Sequence, residues 1–559
     1  MIRLVYMFKR LQNKIKYKSI LWLLFYLFIF AFLLHHSYSY LDPDLGWHLK
    51  TGEEIIATGA VPHINQIDYT LLGQRWVDHE WFSNVLVDWL YTRLGYWSLN
   101  VLFALLITGV FLIINRFIRR EISRSDEDFW LLVPLEIVSL IAMASSLGVR
   151  VQEFSILGLV LLLSIIYYYN KNKNWRRLFW LLPLFYLWAC MHAGFLLGLG
   201  LLVIFTGVKI FELILPAKFK NARLETAEFL TGRQIAIFAG FSLAALAVTF
   251  ATPYGFELYS FLGTYTSTFY MTHILEWLPQ WSLPYLYWQV FYICLIIIAL
   301  GFYVVFAFRK KGGLRISAWQ FSLALVLMAM ATQSRRHTPL LIAATLPFLA
   351  KFLIDFLNIK FSDQAEKKPL KKSWVNAFVG IYLILIFSLP LAEEFLSTSF
   401  VSDPFRGFCE DRFAADHSLQ TPYPCAAVEF LKSHPEYDSR RLLNEFGWGG
   451  FLIWAYPERQ LFIDGRLPQA DYEGQTLLEE YWNFLQPDTI PKYLKKHDIR
   501  LVLLKTIESK PHFSWFERNF LWLDANELDF TNYLEEYLKS DPQWKIIYQD
   551  SISAIYVHQ

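Results

Sequence analysis

Long apolar runs separated by short basic loops are the feature that most limits what this chain can become. Runs of about 18 or more apolar residues can cross a hydrocarbon core of about 30 Å as helices, and such runs recur between Ile20 and Pro390. Hydrophobic residues make up 55% of the chain and aromatics 18%, above the roughly 45–50% apolar content of soluble domains. The pattern rules out an ordinary soluble protein. Lys and Arg sit between the spans rather than in a basic tract interleaved with aromatics, so nucleic acid is not an expected partner. The formal net charge of +2 says little, because such a chain sorts its charge by membrane side. The first run is too long for a signal-peptide core and His35-His36-Ser37-Tyr38 is no small-residue cleavage site, so it reads as a retained anchor.

Residues 1–19 hold Arg3, Lys9, Arg10, Lys14, Lys16 and Lys18 and no acid, which predicts a cytoplasmic N-terminus. Spans are then expected over 20–38, 97–117, 129–147, 154–169, 178–190, 195–211, 234–250 and 287–308, one on either side of Gln333–His337, and a last one over 374–390. Expected inner loops carry about four to six basic residues and short outer loops about zero to three, as one fixed topology requires. The fold class expected is an α-helical polytopic membrane protein of about eleven transmembrane helices. It would lie in the cell (inner) membrane, with the membrane domain at 20–395 and its first external loop at 39–96. That loop contains a helical segment, Glu80–Leu94, expected to lie along the interface.

From about Leu396 the composition becomes that of a soluble domain. Strand-like runs at Arg441–Asn444, Gln460–Ile463, Arg500–Leu504, Trp544–Tyr548 and Ala554–Val557 alternate with helix-like segments such as Thr531–Leu538. The pattern predicts an extracytoplasmic α/β domain over 396–559. Cys409 and Cys425 lie in it and can pair in an oxidising compartment or remain two thiols; Cys190 and Cys294 sit in apolar runs as packing residues.

The residues able to do chemistry fall in segments expected outside: Asp42, Asp44, His48, Asp78, His79, Glu80, Arg150, Glu153, His192, His273, Glu276, Arg335, Arg336 and His337. Ionisable groups beside a bilayer are costly unless they face water or one another. The fifth span, about 13 residues or near 20 Å of helix, is too short to cross, which would sink His192 below the surface. Asp42-Pro43-Asp44 can cap a helix. It can equally take a proton from an acceptor hydroxyl or hold a divalent cation. Arg150, Arg335 and Arg336 suit a phosphate, because guanidinium offers two-pronged, charge-assisted hydrogen bonds. Asp78-His79-Glu80 lies between Trp76 and Trp81, whose faces suit sugar stacking or interfacial anchoring.

In the C-terminal part, Gly447-Trp448-Gly449-Gly450 and Phe462-Ile463-Asp464-Gly465-Arg466 are the most distinctive stretches. Glycines after a strand permit a tight turn or close backbone approach. Asp464 and Arg466 either face a cavity at the membrane or pair with one another. G-x-G-x-x-G spacing, a Walker loop, zinc spacing, a G-x-S-x-G elbow and a haem motif are all absent.

An inward N-terminus, Asp42-x-Asp44 after the first helix, an interfacial segment, about eleven spans and an external C-terminal domain together resemble the GT-C superfamily of membrane glycosyltransferases. Its members include protein O-mannosyltransferases, lipid A aminoarabinose transferases and oligosaccharyltransferases. Trp76-Val77-Asp78-His79-Glu80-Trp81-Phe82, followed by Leu90-Tyr91-Thr92-Arg93-Leu94-Gly95, stands where many relatives carry Pro-Pro-Leu before a similar run; the paired prolines are absent here. The chain is also similar to a group of bacterial multi-pass membrane proteins with Asp-Pro-Asp-x-x-Trp-His-Leu near the start and Phe-Ile-Asp-Gly-Arg near the end.

The resemblance implies transfer of a sugar from a polyprenyl-phosphate donor to a glycan, lipid or protein acceptor on the outer face. Asp42 or Asp44 would be the general base or the ligand of a divalent cation, the one cofactor allowed for. The remaining external residues apart from His337, with Asp464 and Arg466, would bind substrate. The rival readings are a transporter or flippase for a lipid-linked saccharide and a non-catalytic envelope assembly protein. The polar residues crowd to one side and no internal repeat is visible, which weighs against transport.

Overall fold

The computed structural model describes residues 2–39, 41–123, 128–216, 224–225, 228–266, 268–283, 285–307, 317–362, 380–385, 423–506, 518–519 and 531–559. Its helices, in chain order, begin with α1 (Ile2–Ser39), α2 (Leu45–Thr58), α3 (Trp81–Leu94), α4 (Tyr96–Glu121), α5 (Phe129–Ala144) and α6 (Glu153–Asn172). Then come α7 (Leu181–Met191), α8 (Phe195–Ile214), α9 (Gly232–Thr249), α10 (Glu257–Gly263), α11 (Thr268–His273), α12 (Tyr287–Ala307), α13 (Ala318–Gln333) and α14 (Thr338–Ser362). The chain divides into two compact units. One holds 1–38, 97–255 and 274–398; the other holds 39–96, 256–273 and 399–559. The first loop, expected to belong to a membrane domain over 20–395, thus folds in one unit with the C-terminal part.

Unit one is a helix bundle. Seven helices among the described residues are long and apolar enough to cross a membrane: Ser19–Ser37 within α1, α4, α6, α8, α9, α12 and Arg335–Phe356. The expected spans over 129–147 and before Gln333 are the shorter apolar helices α5 and α13. The fifth, α7, has 11 residues, about 16 Å at 1.5 Å per residue. The eleventh is described only at 380–385, which is helical. Length and composition therefore support seven crossings among the described residues, not eleven. Helix α14 packs on α5, α6, α12 and α13, and α9 packs on α7 and α8. Leu24, Val203, Leu243 and Ile298 stay exposed on these helices, as contact with lipid requires.

Unit two begins with the α2–α3 hairpin. Beyond the reading of Asp42-Pro43-Asp44 as a helix cap, nothing in the sequence marks helix α2, whose apolar positions are interrupted by Gly46, His48, Lys50 and Gly52. Two of those glycines are the reason it fits. A Cβ at Gly52 would lie 2.2 Å from the carbonyl oxygen of Asn84 in α3. Beyond 423 the elements are α15 (Cys425–Ser433), β1 (Arg441–Asn444), α16 (Gly449–Ala455), β2 (Asp471–Tyr472), β3 (Gln475–Thr476), α17 (Leu477–Trp482), α18 (Ile490–Lys496), β4 (Ile499–Lys505), α19 (Tyr533–Ser540), β5 (Trp544–Gln549) and β6 (Ser553–His558). The main sheet runs β1-β4-β6-β5, with β1 parallel to β4 and the other pairs antiparallel. Leu501, Leu503, Ile555 and Tyr556 fill its buried positions.

Four of the five expected strands are found. Gln460–Ile463 is not a strand of the sheet. Its backbone pairs with the first loop instead: Leu461 bridges Asp68 in parallel, with Tyr69 N to Leu461 O at 3.0 Å and Leu461 N to Ile67 O at 3.1 Å. The Asn444 side chain replaces a neighbouring strand, donating to Ile463 O at 2.9 Å and accepting from Phe462 N at 2.9 Å. Cys425 is disulfide-bonded, its expected partner Cys409 lies outside the described residues, and Cys190 and Cys294 are free thiols.

Helix α2 also packs against α16. A Cβ at Gly46 would lie 2.2 Å from the Gly450 carbonyl oxygen, and one at Gly450 would lie 2.2 Å from that of Pro43. Main-chain atoms cannot yield as a flexible side chain would. Gly46→Ala is therefore expected to destabilise unit two by about 1–3 kcal/mol. Gly240→Ala in α9, where an added Cβ meets nothing within 4 Å, is expected to be neutral or mildly stabilising. Thermal unfolding of both variants in detergent checks the contrast.

Candidate functional site

The chain leaves the apolar helix α1 and enters the turn that carries Asp42 and Asp44. Asp42 Oδ1 accepts the Asp44 amide at 2.8 Å, and the Leu45 amide donates to Asp42 O at 3.1 Å. Asp44 stands at the cap position of α2, but its side chain makes no cap hydrogen bond. Its Oδ1 instead occupies the space beside Gly465, 2.3 Å from where a Cβ would stand. Glycine at 465 is thus needed for Asp44 to sit where it does. The Tyr423 hydroxyl donates to Leu41 O at 3.3 Å and closes the other flank. Both aspartates are half-buried.

Beneath this turn lies a buried polar chain. His48 Nδ1 donates to Asn84 Oδ1 at 2.6 Å, and Asn84 Nδ2 donates to both oxygens of Asp78, at 3.0 and 2.9 Å. The Glu80 amide also donates to Asp78, at 3.2 Å. Burial pushes Asp78 up to about 7, against the opposing pull of Glu80 N and Asn84. Burial lowers His48 to about 4, so it is neutral. The Trp47 ring lies on His48, centroids 3.8 Å apart. His79 contacts the rings of Phe261 and Tyr265 and lies 3.6 Å from Glu80. His273 is exposed, stacked on Phe269 at 3.7 Å and edge-on to Trp482.

Asp464 and Arg466, expected at a substrate, are 1% and 3% exposed and are used within the fold. Arg466 Nη2 contacts Asp464 Oδ2 at 2.6 Å, Asp68 Oδ2 at 3.3 Å and Asn65 Oδ1 at 3.0 Å. Its Nε donates to both Asp464 oxygens at 3.1 Å. The guanidinium lies 4.4 Å from the Trp76 ring centroid. Burial, then the neighbouring Asp464, pushes Asp68 well above the usual carboxylate range.

Asn65, Asp68 and Asn84 were missed by sequence reasoning. For Asn84 a signal existed: Ser83, Asn84, Val87 and Asp88 form the buried stripe of α3, a polar face at helical spacing where an apolar one is the norm. Asp68 had no local signal, since its partner is remote in sequence.

Unit one collects the other expected residues. Glu276 joins two arginines, Arg150 Nη1 at 2.6 Å and Arg336 Nη1 at 3.4 Å. Burial raises the Glu276 pKa, but Arg150 and Arg336 outweigh it and hold the group below the usual range. Arg336 also lies over the Trp277 ring at 5.2 Å. Arg335 is buried and donates to Ser282 O, and Glu153 accepts from Gly148 N at 2.9 Å. His192 Nδ1 accepts from Gly194 N at 3.0 Å and from the Ser155 hydroxyl at 2.7 Å. The imidazole proton is therefore on Nε2.

Among the described residues no three His, Cys, Asp or Glu side chains are arranged to hold a metal. Asp42 and Asp44 offer two carboxylates, one already accepting an amide, a set that would complete a magnesium octahedron only with waters and phosphate oxygens of a substrate.

No protein-family model matches the chain, and no curated protein does. Among solved structures it is similar to the Archaeoglobus fulgidus oligosaccharyltransferase in its apo form, with a TM-score of 0.46, 10% identity, and coverage of 86% of this chain and 69% of that one. The same protein in complex with Zn and sulfate gives 0.44, 10%, 86% and 68%. No residue of this chain takes a role from likeness at that level.

His48 and Asp78 are coupled through Asn84 and titrate with opposite signs. Asp78 binds its proton more tightly folded than unfolded, so its stabilising contribution is lost as pH rises from about 4 to about 7. His48 binds its proton less tightly folded, so its contribution is lost as pH falls from about 6.5 to about 4. Each changes stability by about 1.4 kcal/mol per pH unit in its window, and the two offset one another. Asp78→Asn should therefore make the unfolding temperature fall as pH drops below about 6.5, and His48→Gln should make it fall as pH rises toward about 7. Identical pH profiles for wild type and both variants would contradict the coupling.

Proposed function

We propose that this chain is an integral membrane glycosyltransferase of the GT-C type. It moves a sugar from a polyprenyl-phosphate donor to a glycan, lipid or protein acceptor on the extracytoplasmic face. The observation that carries the reading is the Asp42-Pro43-Asp44 turn. Two half-buried carboxylates stand where an apolar helix ends, in a shape held by Gly450 and Gly465. A lipid-anchored donor suits carboxylates that follow a membrane-length helix so closely in the chain.

The chemistry needs an acceptor hydroxyl to attack C1 of the donor sugar. The bond from C1 to the phosphate oxygen breaks, the polyprenyl phosphate leaves with the electron pair, and the hydroxyl proton passes to a carboxylate. Asp42 or Asp44 is the proposed general base, a role worth about 10²–10⁴ in rate. The donor set around Asp42 and Asp44 does not make a metal centre by itself, so no step is routed through a cation. The N-terminus is proposed to be cytoplasmic, in the inner membrane, as the loop charges favour.

Membranes containing wild type, Asp42→Asn or Asp44→Asn are to be supplied with a panel of polyprenyl-phosphate sugars and assayed for donor consumption. Loss of about 10²-fold or more in at least one variant, at unchanged membrane level, is expected. Intact protein that neither binds nor consumes any donor would overturn the reading in favour of transport or assembly.

A further inference from the structure

Helices α4, α6, α13 and α14 of unit one enclose a cleft with about 760 Å³ of empty space, in part open to the surroundings. It lies well away from the Arg150–Glu276 loops. Glu153 begins α6 beside Arg150, whereas Asn170 of the cleft is at the far end of the same helix, about 25 Å along its axis. The α6 wall is formed by Val160, Leu163, Ser164, Tyr167 and Asn170, one helical face running for about 15 Å. That is the depth of one leaflet of a core of about 30 Å.

The cleft is apolar along its length and polar at one end. Asn170, which lines it, is 3% exposed, and its Oδ1 is buried without a hydrogen-bond partner among the described residues. Glu228 also lines it, with one oxygen accepting from Ser317 at 2.6 Å and lying 3.9 Å from Lys209 Nζ. Tyr167 donates to Glu121 at 2.9 Å, and Lys171 pairs with that same carboxylate. The polar end therefore offers acceptors beside charges of both signs. A buried amide oxygen left unpaired is destabilising, and a bound donor would relieve that.

We propose that this cleft holds one molecule of a phospholipid whose headgroup ends in a primary ammonium. One acyl chain lies along the α6 face, the ammonium donates to Asn170 Oδ1 and Glu228, and the phosphate stands toward Lys171. A trimethylated headgroup has the same charges but no N–H to donate. A glycerol headgroup adds net negative charge beside Glu121 and Glu228. The site is independent of the glycosyl-transfer reading, since it uses none of the residues assigned to it.

The test uses the full chain, purified in detergent and stripped of lipid, then titrated with phosphatidylethanolamine, phosphatidylcholine or phosphatidylglycerol. Native mass spectrometry counts bound lipid and thermal unfolding reports stabilisation. One phosphatidylethanolamine per chain is expected, held at least ten-fold more tightly than the other two. Asn170→Leu removes the acceptor and Leu163→Trp fills the apolar length; each should abolish the adduct and the stabilisation while leaving the lipid-free unfolding temperature nearly unchanged. Either variant that folds suffices. Equal binding of the three lipids, or binding unaffected by whichever variant folds, would overturn the proposal.

Discussion

A guanidinium taken out of water needs carboxylates or carbonyls for its donors, and Arg466 finds them for Nε and Nη2, though not for Nη1 among the described residues, on two segments far apart in the chain. Asp464 is two residues away, while Asp68 lies 398 residues earlier. Removing one partner of such a buried set leaves an uncompensated charge and typically costs about 3–5 kcal/mol. Trp76 covers the ion with its ring, and Asn65 takes a further donor. The cluster therefore fixes the first loop and the C-terminal segment to one another, and the backbone pairing of Asp68 with Leu461 runs beside it.

Much of the distinctive sequence of unit two follows from that attachment. With Asp464 and Arg466 in place, Gly465 passes against Asp44 and leaves room only for a hydrogen. Gly449 and Gly450 bring α16 against Asp464, Pro43 and Trp47 at main-chain distance. The Asp-Gly-Arg and Gly-Gly motifs are on this account the mould for the Asp42-Pro43-Asp44 turn. Their residues shape the carboxylates. The His48–Asn84–Asp78 chain supports the same turn from the α2–α3 side, with His48 neutral.

The helices of unit one were legible because lipid imposes one simple demand, a long apolar run, and ten of the expected spans coincide with helices. Their number as crossings was not legible, since α5, α7 and α13 are apolar but short. Helix α2 was hidden because its buried face contains glycines and a histidine, chosen for close approach rather than for hydrophobicity. Gln460–Ile463 has the pattern of a sheet strand, yet its partners are a loop backbone and the Asn444 side chain. The same limit applied to Asp68 and Asn84. Pairing between distant segments leaves no periodic trace, so residue types were readable where partners were not. Glu276 and its two arginines were each singled out, but only the fold shows that one carboxylate serves both.

The central claim is that Arg466 holds the carboxylate turn in shape from the other end of the chain. Hydrogen–deuterium exchange of the full protein, wild type against Arg466→Met, tests it most directly. The account predicts faster exchange in the amides of residues 41–58 and 64–78, with the helices of unit one unchanged. Unaltered protection of those residues in a variant that has lost the guanidinium would contradict it.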